Sequence, residues 1–494
     1  MQTISYNNII NSKLNSSKCI LAPSQLTILE IKNKNTVLIR NLLSRELKKN
    51  DNGNEVGSIN YITKSNYYFI RAKALQEEYY LPVINNETAV PIRMQVFKDL
   101  HLREGDLLIS KDSNIGEAII LDKDYKNYTI SGALYKLPIE KYKFYLFAFL
   151  KHQYFKKQLD LLVPKGSTIR HAKKLFLDCK IPFPNQDNAK EVIEYIEYLT
   201  QAIFNKEKEI REKNYLIFDL IQTELLENQR DSKFVYKEPK INDLLKEVRI
   251  DAGYYGYDLK YMQFIISNYL YGAKEIKEWG FRPKRGQNLQ ISQIGKSIYS
   301  DFKKEKFYTL IRPTNFSDFG TVEKFEYLGN KNELSTLQAG DIVFSGEGTV
   351  GKCVLFTDPK DKWITNIHGI VLSKKDYNIQ ESAFVSCFLR FLRNCGMLDC
   401  ITVGGQGGSL AMKYWKDVVI ATFPIPKQSS ISSLYHNQLE YPKHLVLENF
   451  LQEDQKWNKK AGIIELDISI KNFKKKLNDI LDKIVNDELI NISL

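Results

Sequence analysis

The sequence lacks the residue clusters that mark a metal site or a disulfide framework. Its six cysteines form no CxxC pair, and none of its six histidines stands at zinc-ligand spacing from a cysteine or from another histidine. Cysteines at this low density are typical of reduced thiols in a cytosolic protein. We therefore expect no metal site and no disulfide.

Long apolar runs are missing as well. The longest, FYLFAFL at residues 144–150, is far shorter than the roughly 20 residues that cross a bilayer. The N-terminal MQTISYNNIINSK has no charged segment followed by an apolar one, as a secretion signal would. These absences predict a cytoplasmic protein without a membrane partner.

The composition bounds the architecture and the class of partner. A chain of 494 residues is too long for a single core, so at least two domains are expected. Hydrophobic residues make up 43% and charged residues 26%, which is ordinary for a globular protein. Lysine and arginine exceed aspartate and glutamate by 71 to 59, and the net charge of +12 favours a polyanionic partner.

A glycine-rich stretch, SGEGTVGKCV at residues 345–354, suggests two different enzymes. It fits the GxxxxGK of a phosphate-binding loop, although Cys353 stands where such a loop needs a hydroxyl for magnesium. Phe344, Gly346 and Gly348 also spell the FxGxG of S-adenosylmethionine enzymes. The chain has no Pro-Pro pair, however, so the NPPY-like tetrapeptide of amino-methyltransferases is absent.

An internal repeat argues against both enzymes. A shift of 235 residues places LREGDLLISKDSNIGEAIIL (102–121) on LQAGDIVFSGEGTVGKCVLF (337–356) without a gap, and Lys352 of the GK pair falls on Glu117. The residues after Lys352 are typical of a strand, whereas a phosphate-binding loop runs into a helix. The shared pattern predicts a hairpin of two strands, with Gly116 and Gly351 at positive φ. Asp106 and Asp341 are predicted turn residues.

Three further pairs of segments extend the repeat in the same order. They are YFIRAKAL (68–75) with YTLIRPTNF (308–316), FLKHQYFKKQLDLLVPKGS (149–167) with FLRFLRNCGMLDCITVGGQGGS (388–409), and CKIPFPN (179–185) with ATFPIPK (421–427). Because the order of landmarks is preserved, the sequence predicts two homologous halves of α/β (α+β) class.

Two stretches with helical periodicity follow the halves. Residues 187–230 start at Asp187, which suits a helix cap, and contain neither proline nor glycine. We expect this segment and one near the C-terminus to be long helices that pair lengthwise. Their predicted contact residues are Ile196, Ile203, Ile210, Ile217, Ile470, Phe473, Leu477, Ile480 and Ile484. Polar residues in the first seam, such as Thr200 and Asn214, are equally compatible with docking of other subunits.

Together these features resemble the specificity (S) subunit of type I restriction-modification enzymes. Each half has an arginine near its first strands, a GD-x-x-x-S-x(5)-G hairpin, a Gly-Ser stretch and an IPxP end, followed by a helix. RIDAGYYGYD at 249–258 also resembles a frequent start of that family's recognition domains. The first half has no clear match to this start, its nearest equivalent being residues 13–23. Pro442 delays the C-terminal helix, which is also shorter than the central one.

The resemblance implies a non-catalytic, DNA-binding subunit of a phage-defence system. Each half would be a target recognition domain that reads one part of a bipartite double-stranded DNA site, and the helices would form an antiparallel coiled coil that sets the spacer. Two modification (methyltransferase) subunits and the restriction/translocase subunits would be its partners, and S-adenosylmethionine, ATP and magnesium would be bound only by them. The expected segments are 1–186 (first recognition domain), 187–230 (central helix), 231–428 (second recognition domain) and 429–494 (connector and C-terminal helix).

Basic and polar residues around glycines are the candidate DNA contacts, because lysines bind phosphates and arginine or glutamine suits guanine or adenine. Arg170 and Gln406 are the predicted base readers. Arg71 and Arg312 occupy matched positions and are equally compatible with bracing the fold. The predicted contacts are Arg71, Lys111, Ser113, Lys165, Ser167, Thr168, Arg170, Lys173, Lys174, Arg312, Gln406, Ser409, Lys413 and Lys416.

Two alternatives stay open at this point. The chain is a protein-interaction adaptor with non-specific DNA affinity, or it is an enzyme that uses the glycine loop between Gly346 and Lys352. Sequence-independent DNA binding would favour the adaptor, and bound nucleotide or S-adenosylmethionine would favour the enzyme.

Overall fold

The computed structural model describes residues 29, 31–163, 172–357, 362–404, 408–443 and 445–492. The chain forms two compact units. Unit 1 comprises Met1–Lys208, Tyr441–Trp457 and Ile468–Leu494, and unit 2 comprises Glu209–Glu440 and Asn458–Asp467. Each unit combines helices with small sheets, so the predicted mixed α/β class is confirmed.

Unit 1 is built on three small sheets. Its strands are β1 (Thr36–Leu38), β2 (Tyr68–Ile70), β3 (Ala89–Pro91), β4 (Leu107–Ser110), β5 (Ala118–Ile120), β6 (Tyr128–Ile130), β7 (Leu134–Leu137) and β8 (Lys180–Pro182). Its helices are α1 (Ile39–Leu42), α2 (Lys143–Lys151), α3 (Gln153–Leu162) and the first part of α4 (Ala189–Glu227). Short 3-10 helices lie at Lys49–Asp51, Ser58–Asn60, Ala72–Ala74, Met94–Val96 and Leu175–Asp178. The sheet orders are β3-β2-β6, β5-β4-β7 and β1-β8.

The described residues of unit 2 form the rest of α4 and ten strands. Its strands are β9 (Ala273–Glu275), β10 (Arg282–Arg285), β11 (Ser297–Ser300), β12 (Tyr308–Ile311), β13 (Glu326–Asn330), β14 (Ile342–Ser345), β15 (Cys353–Leu355), β16 (Trp363–Thr365), β17 (Gly369–Ser373) and β18 (Val419–Ala421). Its helices are α5 (Ile241–Glu247), α6 (Ala252–Tyr255), α7 (Tyr257–Ser267), α8 (Ile291–Ile294), α9 (Ile379–Asn394), α10 (Met397–Ile401) and α11 (Ile425–Tyr435), with 3-10 helices at Pro313–Asn315 and Met412–Asp417. The sheet orders are β11-β13-β12-β16, β10-β17-β14-β15 and β9-β18.

The topology of the sheets confirms the repeat. β2 runs parallel to β6 as β12 does to β16, and β4 pairs antiparallel with β5 and β7 as β14 does with β15 and β17. The central strands LLIS and IVFS are buried along their whole length, which requires packing on both faces of the sheet. Unit 2 differs by its two edge strands, β10 and β11.

The glycine-rich stretch forms the predicted hairpin in both units. Gly116 and Gly351 have φ of 84° and 90°, and each donates its N–H back to the carbonyl of the serine that ends the preceding strand, over 2.8 and 3.1 Å. The carboxylates of Asp106 and Asp341 each accept a backbone N–H three residues earlier at 2.8 Å. These glycines and aspartates are therefore turn residues, as predicted.

The predicted long helices are present. α4 has 39 residues, about 58 Å at 1.5 Å per residue, and it continues from unit 1 into unit 2. The C-terminus forms α12 (Phe450–Lys460) and α13 (Ile463–Asn486), and α13 is the shorter partner, as expected. Eight of the nine predicted contact residues are buried, and Phe473 is half-buried.

Within unit 1, α13 runs antiparallel to the first part of α4. Ile490, just after α13, donates its N–H to Gln186, just before α4, over 2.8 Å. Farther along α4, Glu207 forms a 3.0 Å ion pair with Lys474. The pairing expected from the apolar periodicity is confirmed. Among the residues that the structure describes, no helix is long and apolar enough to cross a membrane.

Candidate nucleic-acid interface

Three distant segments of unit 2 meet at the turn of the β14–β15 hairpin. Gly346 donates its N–H to His368 O at 3.0 Å, and Leu410 donates to Gly346 O at 2.9 Å. At the end of β10, Gly286 donates to Gly369 O at 2.8 Å. We call the described residues 285–287, 346–351, 366–369, 403–404 and 408–410 turn cluster 2. The Gly-Ser stretch that the sequence singled out thus ends beside the hairpin turn.

Unit 1 repeats this arrangement at the β4–β5 hairpin. Lys111 donates its N–H to Ala133 O, and Ala172 donates to Lys111 O, both over 2.8 Å. Gly53 donates to Leu134 O at 3.0 Å. We call residues 52–54, 111–116, 130–134 and Ala172 turn cluster 1. Each of these three backbone contacts has its counterpart in turn cluster 2.

A pair of glycines explains why the backbone segments approach so closely. A Cβ on Gly53 would lie 2.0 Å from Ser131 O, and one on Gly286 would lie 2.3 Å from Asn366 O. Any side chain would therefore collide with main-chain atoms. The sequence comparison missed this pair because only the glycine is shared between DNGN and KRGQ, so the signal is too short to stand out.

Exposed basic side chains lie close to both clusters along the chain. In unit 2 the edge strand β10 has the sequence RPKR, with Arg282 and Lys284 exposed. In unit 1 Lys49 is exposed, and the exposed Lys173 and Lys174 directly follow the last residue of turn cluster 1. The strand β10 was not among the predicted contacts, although its run of three cations within four residues was visible in the sequence.

The predicted DNA-binding residues fall into three groups. Lys165, Ser167, Thr168, Arg170 and Gln406 lie outside the described residues. Lys111, Ser113 and Ser409 lie within the turn clusters, with Ser113 at φ 63° on the hairpin tip. The others lie outside the clusters as defined: Arg71, Lys173, Lys174, Arg312, Lys413 and Lys416.

Some of these side chains already have partners within the protein. Arg312 forms two hydrogen bonds of 2.9 Å with the carboxylate of Glu326, and Lys416 forms an ion pair of 2.8 Å with Glu247. The hydrogen bond to Glu326 raises the pKa of Arg312 despite burial. Arg71 donates to Glu87 O at 3.1 Å but is exposed. Lys413 Nζ lies 4.7 Å from the ring centre of Tyr414. Arg312 therefore ties the end of β12 to the start of β13, the two central strands of its sheet.

The lysine of the apparent phosphate-binding motif has a structural role. Lys352 Nζ donates to Phe316 O at 2.9 Å and lies 3.2 Å from the carboxylate of Asp318. The loop before it connects two strands, whereas a phosphate-binding loop runs into a helix. The geometry is that of a hairpin turn.

The arginine of RIDAGYY supports the Gly-rich segment. Arg249 is 5% exposed and holds Asp251 through two hydrogen bonds of 2.7 and 2.6 Å. It also donates to Ile401 O at 2.6 Å and to Thr402 O at 2.8 Å, just before turn cluster 2. Its guanidinium lies 4.3 Å from the ring centre of Tyr254. The motif thus anchors one end of the segment that reaches the hairpin turn.

A triad of side chains lies on the surface of turn cluster 2. Glu347, in the hairpin turn, accepts from Arg285 Nη1 at 2.6 Å and contacts His368 Nδ1. Burial alone would raise the pKa of Glu347, but the hydrogen bonds from His368 and Arg285 lower it below its ordinary value. The carboxylate therefore stays ionised and holds Arg285 at the end of β10. The described residues contain no group of His, Cys, Asp and Glu that would hold a metal ion.

The fold and the clusters define a duplicated α/β protein. Each half has a turn cluster with basic side chains close to it, and one helix continues from the first half into the second.

No family model matches the sequence, and no curated protein matches it. Several solved structures are similar to it.

Three of the similar structures come from type I restriction-modification systems, the family that the sequence motifs resemble. The S subunit from M. genitalium is 13% identical, with coverage of 95% of this chain and 99% of that one and a TM-score of 0.41. A chain from a study of type I complex assembly and conformational transition is 12% identical (94% and 100% coverage, TM-score 0.29). The HsdS subunit from Thermoanaerobacter tengcongensis is also 12% identical (95% and 96% coverage, TM-score 0.27).

Proposed function

We propose that this chain is the DNA-recognition (specificity) subunit of a type I restriction-modification complex. One observation carries the proposal: the same backbone frame, with matched hydrogen bonds, occurs in both units with different side chains on it. A duplicated frame with divergent side chains is what a protein needs to read two different short sequences. Each unit would bind one part of a bipartite DNA site.

The charges around the frame suit a nucleic-acid contact. Exposed lysines and arginines near both clusters would neutralise backbone phosphates, which sets affinity but not sequence preference. Lys49, Lys173 and Lys174 would do this in unit 1, and Arg282 and Lys284 in unit 2. Polar side chains of the hairpin turns and of the Gly-Ser stretches would read base edges.

The helices would carry the partners. We propose that α4 and the antiparallel α13 form the docking surface for two methyltransferase subunits, while restriction/translocase subunits join the assembled complex. This chain would supply no catalytic group. Its partners would bind S-adenosylmethionine, ATP and magnesium.

The proposal is tested by expressing the full-length chain with its candidate methyltransferase subunit and mapping methylated adenines across the host genome. We expect two short sequence blocks separated by a fixed gap. The paired variant Lys49→Ala/Lys174→Ala should weaken methylation through unit 1, and Arg282→Ala/Lys284→Ala through unit 2. Each should lower occupancy at all sites and make binding less sensitive to salt.

Exposed lysines away from the clusters provide matched controls. Lys64→Ala in unit 1 and Lys331→Ala in unit 2 each remove one positive charge from an exposed position and should leave methylation unchanged. They are compared with the single variants Lys49→Ala and Arg282→Ala, which also remove one charge each. An undivided motif, or equal loss in the control and cluster variants, would overturn the proposal.

One surface favours the adaptor as the second candidate. α5 and the residues after it expose four aliphatic side chains, those of Ile241, Leu245, Val248 and Ile250, each at least 69% exposed. Such a patch is typical of a protein contact. If the adaptor hypothesis holds, the chain will bind DNA without sequence preference even in the complete complex, and the cluster variants will lower methylation no more than the control variants do.

A further inference from the structure

The residues at the end of β10, in turn cluster 2, have counterparts in turn cluster 1. Arg285 pairs with Ile370 across the sheet, and in unit 1 Asn52 pairs with Tyr135. The next residue in each case is the glycine that packs against main-chain oxygens, Gly286 or Gly53. Arg285 and Asn52 therefore occupy the same position of the repeated frame. The glycine is shared, whereas the side chain before it differs.

Arg285 is held in one orientation. Its Nη1 donates to Glu347 Oε1 at 2.6 Å and to Ile367 O at 3.2 Å. Glu347 is fixed in turn by His368. The arginine side chain keeps 32% of its surface exposed, and no partner for Nη2 is seen within the described part of the chain. One edge of the guanidinium is thus anchored and the other is available at the protein surface.

The counterpart in unit 1 has a different chemistry. The side-chain oxygen of Asn52 is buried and has no hydrogen-bond partner among the described residues. An amide at that position offers neither the charge nor the reach of a guanidinium. Two units that recognise different DNA sequences would need different side chains at matched positions of their shared frame.

We propose that Arg285 is a base-reading residue of unit 2 and recognises a guanine in the major groove, and that Glu347 is the positioning residue that orients it. The inference rests on the proposed function and deepens it. Arginine matches the O6 and N7 acceptors of guanine, and a carboxylate behind the guanidinium holds it ready for that contact. The predicted base reader of this unit, Gln406, lies outside the described residues, so Arg285 adds a second position to unit 2.

The test uses the full-length chain in the methyltransferase complex, with the methylation motif and competition by DNA duplexes as the readouts. Each duplex carries one base-pair substitution in the block read by unit 2. Arg285→Lys and Arg285→Ala should relax the preference at one G·C pair, with a loss of about 5- to 150-fold in discrimination there. The block read by unit 1 should stay unchanged, which shows that the variant complex is folded and active.

Glu347 is tested by two substitutions. Glu347→Ala removes the group that orients Arg285 and should partly relax the same G·C pair. Glu347→Gln keeps an oxygen that accepts from Nη1 and should restore the preference. A residue with a purely structural role would lower occupancy at all sites without changing any one base preference.

Arg282→Ala is the matched control, because Arg282 lies on the same strand and is exposed. It should weaken all sites evenly and relax none. Unchanged base preference in both Arg285 variants, or relaxation only in the block read by unit 1, would overturn the inference while leaving the proposed function in place. Failure of the proposed function looks different, since the wild-type complex would then show no divided motif.

Discussion

Removal of the Lys206 ammonium group should destabilise unit 1, and the loss of stability should depend on whether its ion-pair partner, Asp454, is kept. Lys206 is completely buried in unit 1 and forms an ion pair with Asp454, which is 1% exposed. Its Nζ lies 4.6 Å from the ring centre of Trp457 and 5.2 Å from those of Tyr441 and Phe473. Burial lowers the pKa of Lys206 to about 8, although Asp454 acts in the opposite direction.

The size of the effect follows from the charge that is left behind. Lys206→Met keeps the volume of the side chain but removes the Lys206 cation from the buried carboxylate of Asp454, to which Tyr441 donates at 2.7 Å. Loss of one partner of a buried ion pair costs about 3–5 kcal/mol of unfolding free energy. Lys206→Met/Asp454→Asn removes both charges and should cost only about 1–2 kcal/mol.

Unit 1 contains its own probe for this experiment. Of the four tryptophans, Trp457 belongs to unit 1, and Trp279, Trp363 and Trp415 belong to unit 2. In a background with the other three replaced by phenylalanine, urea unfolding followed by fluorescence reports on unit 1, and the shift of the midpoint gives the loss of stability. The single variants, the double variant and the parent form a thermodynamic cycle.

The reasoning would be refuted if Lys206→Met were neutral or stabilising while Asp454 is intact. The aromatic rings rather than the ion pair would then decide the stability of this site. A double variant as unstable as the single one would lead to the same conclusion.

Three further predictions concern other consequences of the structure. Lys206 binds its proton more weakly in the folded state than in the unfolded state, so the unfolded state holds more protons between pH 8 and 10.5. The unfolding free energy of the parent should therefore rise relative to that of Lys206→Met as pH increases through that range. A constant difference across parallel urea titrations would contradict this. Gly53→Ala should lower the free energy of unfolding by more than about 3 kcal/mol, because the added Cβ would collide with Ser131 O. Gly57 has open space around it, so Gly57→Ala should change the unfolding free energy by less than about 0.5 kcal/mol in the same urea titrations. Lys352→Ala should cost about 1–2 kcal/mol through the lost contact to Phe316 O, and calorimetry should detect no ATP binding before or after the change; magnesium-dependent binding lost in the variant would restore the phosphate-binding interpretation.

Much of the architecture could be predicted because its signals are local. The hairpins follow from an apolar run, a turn aspartate and a glycine at fixed spacing, and φ of 84° and 90° at Gly116 and Gly351 agree with this. The helices follow from apolar periodicity, which is independent of what the helix packs against. The recurrence of these patterns in the same order identified two halves before any coordinate was known.

The candidate site was predicted only in part, since its key contacts join segments that are distant along the chain. The hairpin tips and the Gly-Ser stretches were both predicted as DNA contacts, and only the structure shows that they meet, through the contact between Leu410 and Gly346. The strand β10 was missed, and so was the triad of Arg285, Glu347 and His368, because nothing in RPKRGQN reveals that it lies beside the hairpin turn. Arg312 was matched with Arg71 by the repeat, but only the fold shows that it pairs with Glu326.

The sequence by itself therefore determined the duplication, the hairpin turns and the two long helices, because each depends on spacing within a short segment. Only the tertiary structure decided which polar side chains form hydrogen bonds within the protein and which remain exposed. Lys352 and Arg312 are bound internally, whereas Arg285 keeps one edge at the surface. The physical reason is that hydrogen-bond partners and burial depend on residues brought together by packing, and packing joins positions that spacing along the chain does not connect.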